Sequence, residues 1–78
     1  MEYKTANELK PKEYVIDPDT DDIFQIIIVK PANKPRIMYR DLKNNKVTEM
    51  ITSAKKQFII AEIEELSYQL NYYSGDNL

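Results

Sequence analysis

The 78-residue chain has no cysteine, no histidine and no tryptophan, and its single glycine is Gly75. Without cysteine there are no disulfides and no thiolate metal sites. Without histidine the commonest metal ligand is missing, as is the side chain that titrates near neutral pH. One glycine cannot build a phosphate-cradling loop. Without histidine a serine nucleophile needs a lysine base. Ser53 has Lys55 and Lys56 nearby, but an exposed lysine stays protonated. These absences point away from an enzyme and from any cofactor or metal.

Long apolar runs are also missing. The longest is Ile26–Val29, far short of the roughly 18 residues of a membrane span. Residues 1–11 are polar, with Glu2 and Glu8 and no basic start, unlike a secretory signal. A cytoplasmic protein that does not meet the membrane is the expectation, and the length suits a single domain of residues 1–78 with a marginal core. Nine lysines, ten isoleucines, six asparagines and six tyrosines stand against four alanines. That usage fits an AT-rich bacterial genome or one of its phages.

The net charge of −2 conceals a segregated pattern. Residues 1–29 carry three bases and seven acids, residues 30–56 eight bases and two acids, and residues 57–78 four acids and no base. A basic middle can face phosphate or an acidic partner, or it can be neutralised by its own acidic flanks. Lys30, Lys34, Arg36, Arg40, Lys43 and Lys46 are the candidate basic contacts, with weak nucleic-acid binding as their second use.

Residues 1–12 read as a loose lead-in. Glu13–Asp17 is a short strand candidate, followed by an acidic turn in which Pro18 suits the second turn position. Asp17, Asp19 and Asp21 imitate the start of a calcium loop, but Asp22 and Ile28 stand where glycine and glutamate are needed. The segment 23–30 is β-branched and apolar on both faces, with Phe24, Ile26 and Ile28 on one and Ile23, Ile27 and Val29 on the other. It should be central and covered on both sides. Pro31 and Pro35 delimit strands. Residues 36–42 and 46–52 form a hairpin about Asn44-Asn45, whose tight turn would set Arg40 opposite Glu49, Leu42 opposite Val47 and Met38 opposite Ile51.

Farther on, Ile59, Ile63, Leu66, Leu70 and Tyr73 recur at helical spacing, and Gly75 suits a helix end, leaving 74–78 as a tail. Residues 54–60 fit either a fifth strand at Phe58-Ile59-Ile60 or the beginning of that helix. Tyr68 and Tyr72, four apart, are candidate interface residues. The three glutamates Glu62, Glu64 and Glu65 read as an exposed acidic face.

The stretch Lys10-Pro11-Lys12-Glu13-Tyr14-Val15-Ile16-Asp17, the acidic turn and Ile23-Phe24-Gln25-Ile26-Ile27 together resemble the opening hairpin of SH3-like small barrels. The resemblance implies a mainly β fold, an antiparallel barrel of about five strands with a C-terminal helix. The alternative is a four-stranded antiparallel sheet with one helix from about residue 54. SH3-like barrels serve many functions. The functional expectation is a protein-interaction module, a small phage-derived accessory protein that binds another protein and forms a homodimer.

Overall fold

The computed structural model describes residues 2–61. They form six strands: β1 (Tyr3–Thr5), β2 (Tyr14–Ile16), β3 (Ile23–Lys30), β4 (Arg36–Asp41), β5 (Lys46–Ile51) and β6 (Gln57–Ile60), with a 3-10 turn at Ala6–Glu8. The strands make one antiparallel sheet in the order β1-β6-β2-β3-β4-β5. Its edges, β1 and β5, do not pair with each other, so the sheet is open. The fold is mainly β. The strand reading of Phe58-Ile59-Ile60 holds, which removes the alternative helix beginning near residue 54. The expected C-terminal helix, with Tyr68 and Tyr72, lies outside the described residues.

The sheet carries its main core cluster on one face. Val15, Phe24, Ile26, Ile37 and Phe58 are buried together on its inner face, with Val29, Tyr39, Met50 and Ile60 packed against them. Phe58 on β6 and Ile37 on β4 come from strands separated by two others, and Val15, Phe24 and Ile26 link them across the inner face. The Phe24 and Tyr39 rings meet at a centroid distance of 4.1 Å, tilted by 40°, and such aromatic pairs contribute about 0.5–1.5 kcal/mol beyond area burial. Burial raises the Tyr39 pKa, helped by the nearby charges of Asp41, Asp22 and Asp17.

The lead-in is part of this core, contrary to the loose segment read from its composition. β1 pairs with β6, Tyr3 facing Ile59. Ala6 is fully buried and Leu9 nearly so, both within the core cluster. The Asn7 amide donates to the Ala32 carbonyl at 3.0 Å and accepts the Ala32 N–H at 3.3 Å. Glu8 takes the Thr5 N–H at 2.8 Å and the Thr5 hydroxyl at 2.9 Å, so its pKa is lowered, chiefly by the backbone bond. Small Ala6 and single Leu9 give too little periodicity to announce a packed element.

Two registers differ from expectation. A bulge at Ile27 shifts the β3–β4 pairing between Ile26 and Ile28. One extra residue exchanges the faces beyond it. Val29 therefore joins the core, while Ile28 turns outward and is 46% exposed. β3 is covered on both sides only in its first half, where Ile23 is buried in a second cluster with Ile16 and Ala61, against Tyr14, Leu42 and Ile59. In the β4–β5 hairpin Arg40 faces Val47, Met38 faces Glu49 and Asp41 faces Lys46. The pairing expected of Arg40 with Glu49 is corrected by two residues, because the loop has four residues, 42–45, rather than two. Asn45 takes the positive φ of 56°, and Asp41 holds the loop by accepting the Lys43 N–H at 2.9 Å and the Asn44 amide at 3.1 Å. A slip of two preserves the faces, so Met38, Arg40, Val47, Glu49 and Ile51 still share one side of the hairpin.

Candidate interaction surface

The six candidate bases fall into two groups. Lys30, Lys34 and Arg36 gather where β3 ends and β4 begins; Lys30 and Arg36 face one another across the ladder. Arg40, Lys43 and Lys46 gather around the far loop, where the Arg40 Nη1 donates to the Asn45 side-chain oxygen at 3.4 Å. β4 separates the groups by about 17 Å at the usual strand rise. Lys46 also projects on the inner-face side and Arg40 on the outer. The bases thus mark two ends of a hairpin rather than one stripe.

Three acids of the flank, Glu13, Asp17 and Asp19, pair with other lysines. Glu13 binds Lys4 at 2.8 Å, and the Lys4 pKa is raised chiefly by that hydrogen bond. Asp17, buried, takes Lys56 at 3.0 Å, and Asp19 takes it from the other side. Burial works to lower the Lys56 pKa, but its hydrogen bonds to Asp19 and Asp17 outweigh this and the net shift is upward. Lys56 also stands 5.4 Å from the Phe58 ring centroid. It therefore clamps the β2–β3 turn to the connection entering β6. An open cleft beside this clamp is lined by Pro18, Asp19, Thr52, Ser53, Lys55, Lys56 and Gln57. Glu49 pairs with Arg36 at 3.5 Å across the exposed hairpin, a contact contributing about 0–1 kcal/mol.

The outer face of β3, β4 and β5 carries apolar residues among these bases. Ile28 on β3 faces Met38 on β4, and Met38 faces Glu49 on β5. Val47 and Ile51, on either side of Glu49, are 50% and 60% exposed. Lys30, Arg36 and Arg40 share this face by register. The result is a mixed surface on β3, β4 and β5: Ile28, Met38 and Glu49 form its middle row, with Ile51 beside Arg36 at one end and Val47 beside Arg40 at the other.

β5 also offers its backbone. Thr52 donates its N–H inward to Pro35 at 3.1 Å. Successive residues of an antiparallel strand direct their N–H and C=O groups to opposite sides. Lys46, Thr48 and Met50 therefore bond toward β4, and Val47, Glu49 and Ile51 present theirs outward, where no strand of the described residues pairs with them. The residues with exposed side chains on the outer face are the same ones that carry the open edge.

The sequence reading found the bases but missed Ile28, Val47 and Ile51. For Ile28 the available signal is the excess of apolar residues on both faces of β3, which by pattern alone fits a covered strand equally well. No family model, curated protein or solved structure matches the chain. Among the described residues no helix is long and apolar enough to cross a membrane.

Proposed function

We propose that this is a non-enzymatic protein-interaction module, acting through the outer face of β3, β4 and β5. The observation that supports this most is the exposure of Ile28, Val47 and Ile51 on one face. Single exposed aliphatic residues are ordinary, whereas several on one sheet face among polar groups suit a protein interface. Lys30, Arg36 and Arg40 around them favour a partner that is apolar with acidic flanks. The SH3-like reading is supported by the meander from β2 to β5 and the return of β6 to β2, with β1 added outside. A small accessory protein of an AT-rich bacterium or its phage is the setting that the codon-linked composition favours.

Weak nucleic-acid binding is the second reading, and Lys30 opposite Arg36 is the observation in its favour. Like charges directly opposite on a ladder are destabilising, and an anion would relieve them. Split bases support only a few phosphate contacts, each adding about −0.9 to the slope of log affinity against log salt on duplex DNA.

A photo-crosslinking residue placed at position 51, with position 20 as control, separates these readings in the source cell. A protein adduct at 51, absent at 20 and lost on Ile28→Asp, is expected. An adduct to nucleic acid, or none, overturns the protein-interaction reading.

A further inference from the structure

We infer that the outer edge of β5 pairs with the β5 edge of a second copy, extending the sheet across a two-fold axis. This rests on the interaction surface just proposed and concerns its outermost strand.

The open edge carries the N–H and C=O groups of Val47, Glu49 and Ile51. An antiparallel partner satisfies them by matching residues of the same parity, so that each face of one sheet continues into the same face of the other. A two-fold axis at Glu49 uses all three: Glu49 meets Glu49 of the second copy, and Val47 of each copy meets Ile51 of the other. The strand is then self-complementary, as a closed dimer requires. Its two most exposed aliphatic side chains, Val47 and Ile51, become cross-strand neighbours twice over. The edge has no proline and no bulge, two of the devices that commonly keep strand edges apart. The other edge, β1, has three residues and offers a much shorter template. A single added strand pair covers less than the roughly 1,600 Å² of a standard interface, so the dimer forms at micromolar or higher concentration.

The like charges at the axis are the weak point of this pairing. Each Glu49 has its own Arg36 at 3.5 Å, which offsets the repulsion in part. Glu49→Gln should therefore tighten the dimer; weakening would rule out this register.

Analytical ultracentrifugation of the full chain between about 1 µM and 1 mM tests the association. A mass rising from 9.2 kDa toward twice that value is expected. Val47→Lys/Ile51→Lys should raise the dissociation constant about tenfold or more, since both side chains are exposed in one copy and become like-charged neighbours in two. Glu49→Pro should do the same by removing an outward N–H, leaving the β4 ladder intact. Circular dichroism checks that each variant folds, and if the proline variant does not, the lysine pair gives the result. Hydrogen exchange at the Val47, Glu49 and Ile51 amides should slow as concentration rises. A parent that stays monomeric throughout, variants that dimerise like the parent, or exchange independent of concentration would each overturn the inference. A position-51 crosslink to a different protein would do so too while leaving the interaction reading intact.

Discussion

In the β2–β3 hairpin Asp17 and Asp22 form the last bonded pair, the Asp17 N–H reaching the Asp22 carbonyl at 2.9 Å, and four residues lie between them. In the β4–β5 hairpin Asp41 and Lys46 stand in the same relation. Each leading aspartate accepts the N–H two residues on, from Asp19 in one and Lys43 in the other, both at 2.9 Å. Each loop places its positive φ at the fourth residue, 64° at Asp21 and 56° at Asn45. The local chemistry is shared and the surroundings differ. Asp17 is 6% exposed and clamped by Lys56, and its hairpin pairs on both sides, with β6 and β4. The second hairpin lies at the sheet edge, with one face in the core and the other open. One loop design thus serves as a structural joint in one place and as the tip of a free surface in the other.

The difference predicts unequal sensitivity to substitution. Phe24→Ala, in the first hairpin, removes a core ring and should cost about 3–5 kcal/mol in urea unfolding, whereas Val47→Ala in the second should stay within about 0.5 kcal/mol. Equal losses would end the contrast. Asp17→Ala should cost about 2–3 kcal/mol, because it takes a buried acceptor from the Asp19 N–H and from Lys56. Asp41→Ala, at the equivalent place in the exposed loop, should cost about 0.5–1.5 kcal/mol.

A smaller effect probes the loops themselves. Asn45→Gly should be neutral or stabilising by up to about 1 kcal/mol, since glycine adopts positive φ without steric cost. The same holds for Lys12→Gly, where a lysine occupies φ 76°. A clear loss at either position would mean that the side chain contributes more than its backbone strain removes.

The smallest expected effect is on pH dependence. Lys4 and Lys56 have folded pKa values raised above 10.5, and Tyr39 is raised above 10.0. In each case the folded state holds its proton more tightly than the unfolded one. Their contributions are fully present below those ordinary values and are lost as pH rises through the higher folded ones. Thermal stability should accordingly decline as pH rises above 10, and Lys56→Met should flatten the decline. Glu8 acts in the opposite sense: its lowered pKa gives a contribution present above its ordinary 4.5 and lost as pH falls through the folded value.

How much of this was legible in the sequence follows from the same comparison. The strands β2 to β5 are announced by β-branched runs and bounding prolines, and Phe58-Ile59-Ile60 by its apolar density, whereas β1 is not. The loop register did not, because Asn44-Asn45 satisfies a two-residue turn as well as the end of a four-residue one. The sign that decides it is Asp41 four positions before Asn45, repeated by Asp17 four positions before Asp21. The bulge at Ile27 left no mark, since Ile26, Ile27 and Ile28 are chemically identical and any of them could be the extra residue. That ambiguity hid the outer surface, for the bulge is what turns Ile28 outward.

The central claim is that Ile28 and Ile51 are retained for contact with a partner and not for the stability of the chain itself. Urea unfolding of Ile28→Ser/Ile51→Ser at low micromolar concentration tests it directly. The account predicts an unfolding free energy within about 1 kcal/mol of the parent, as for exposed positions; a loss of about 4 kcal/mol or more, the size expected from two core deletions, would contradict it.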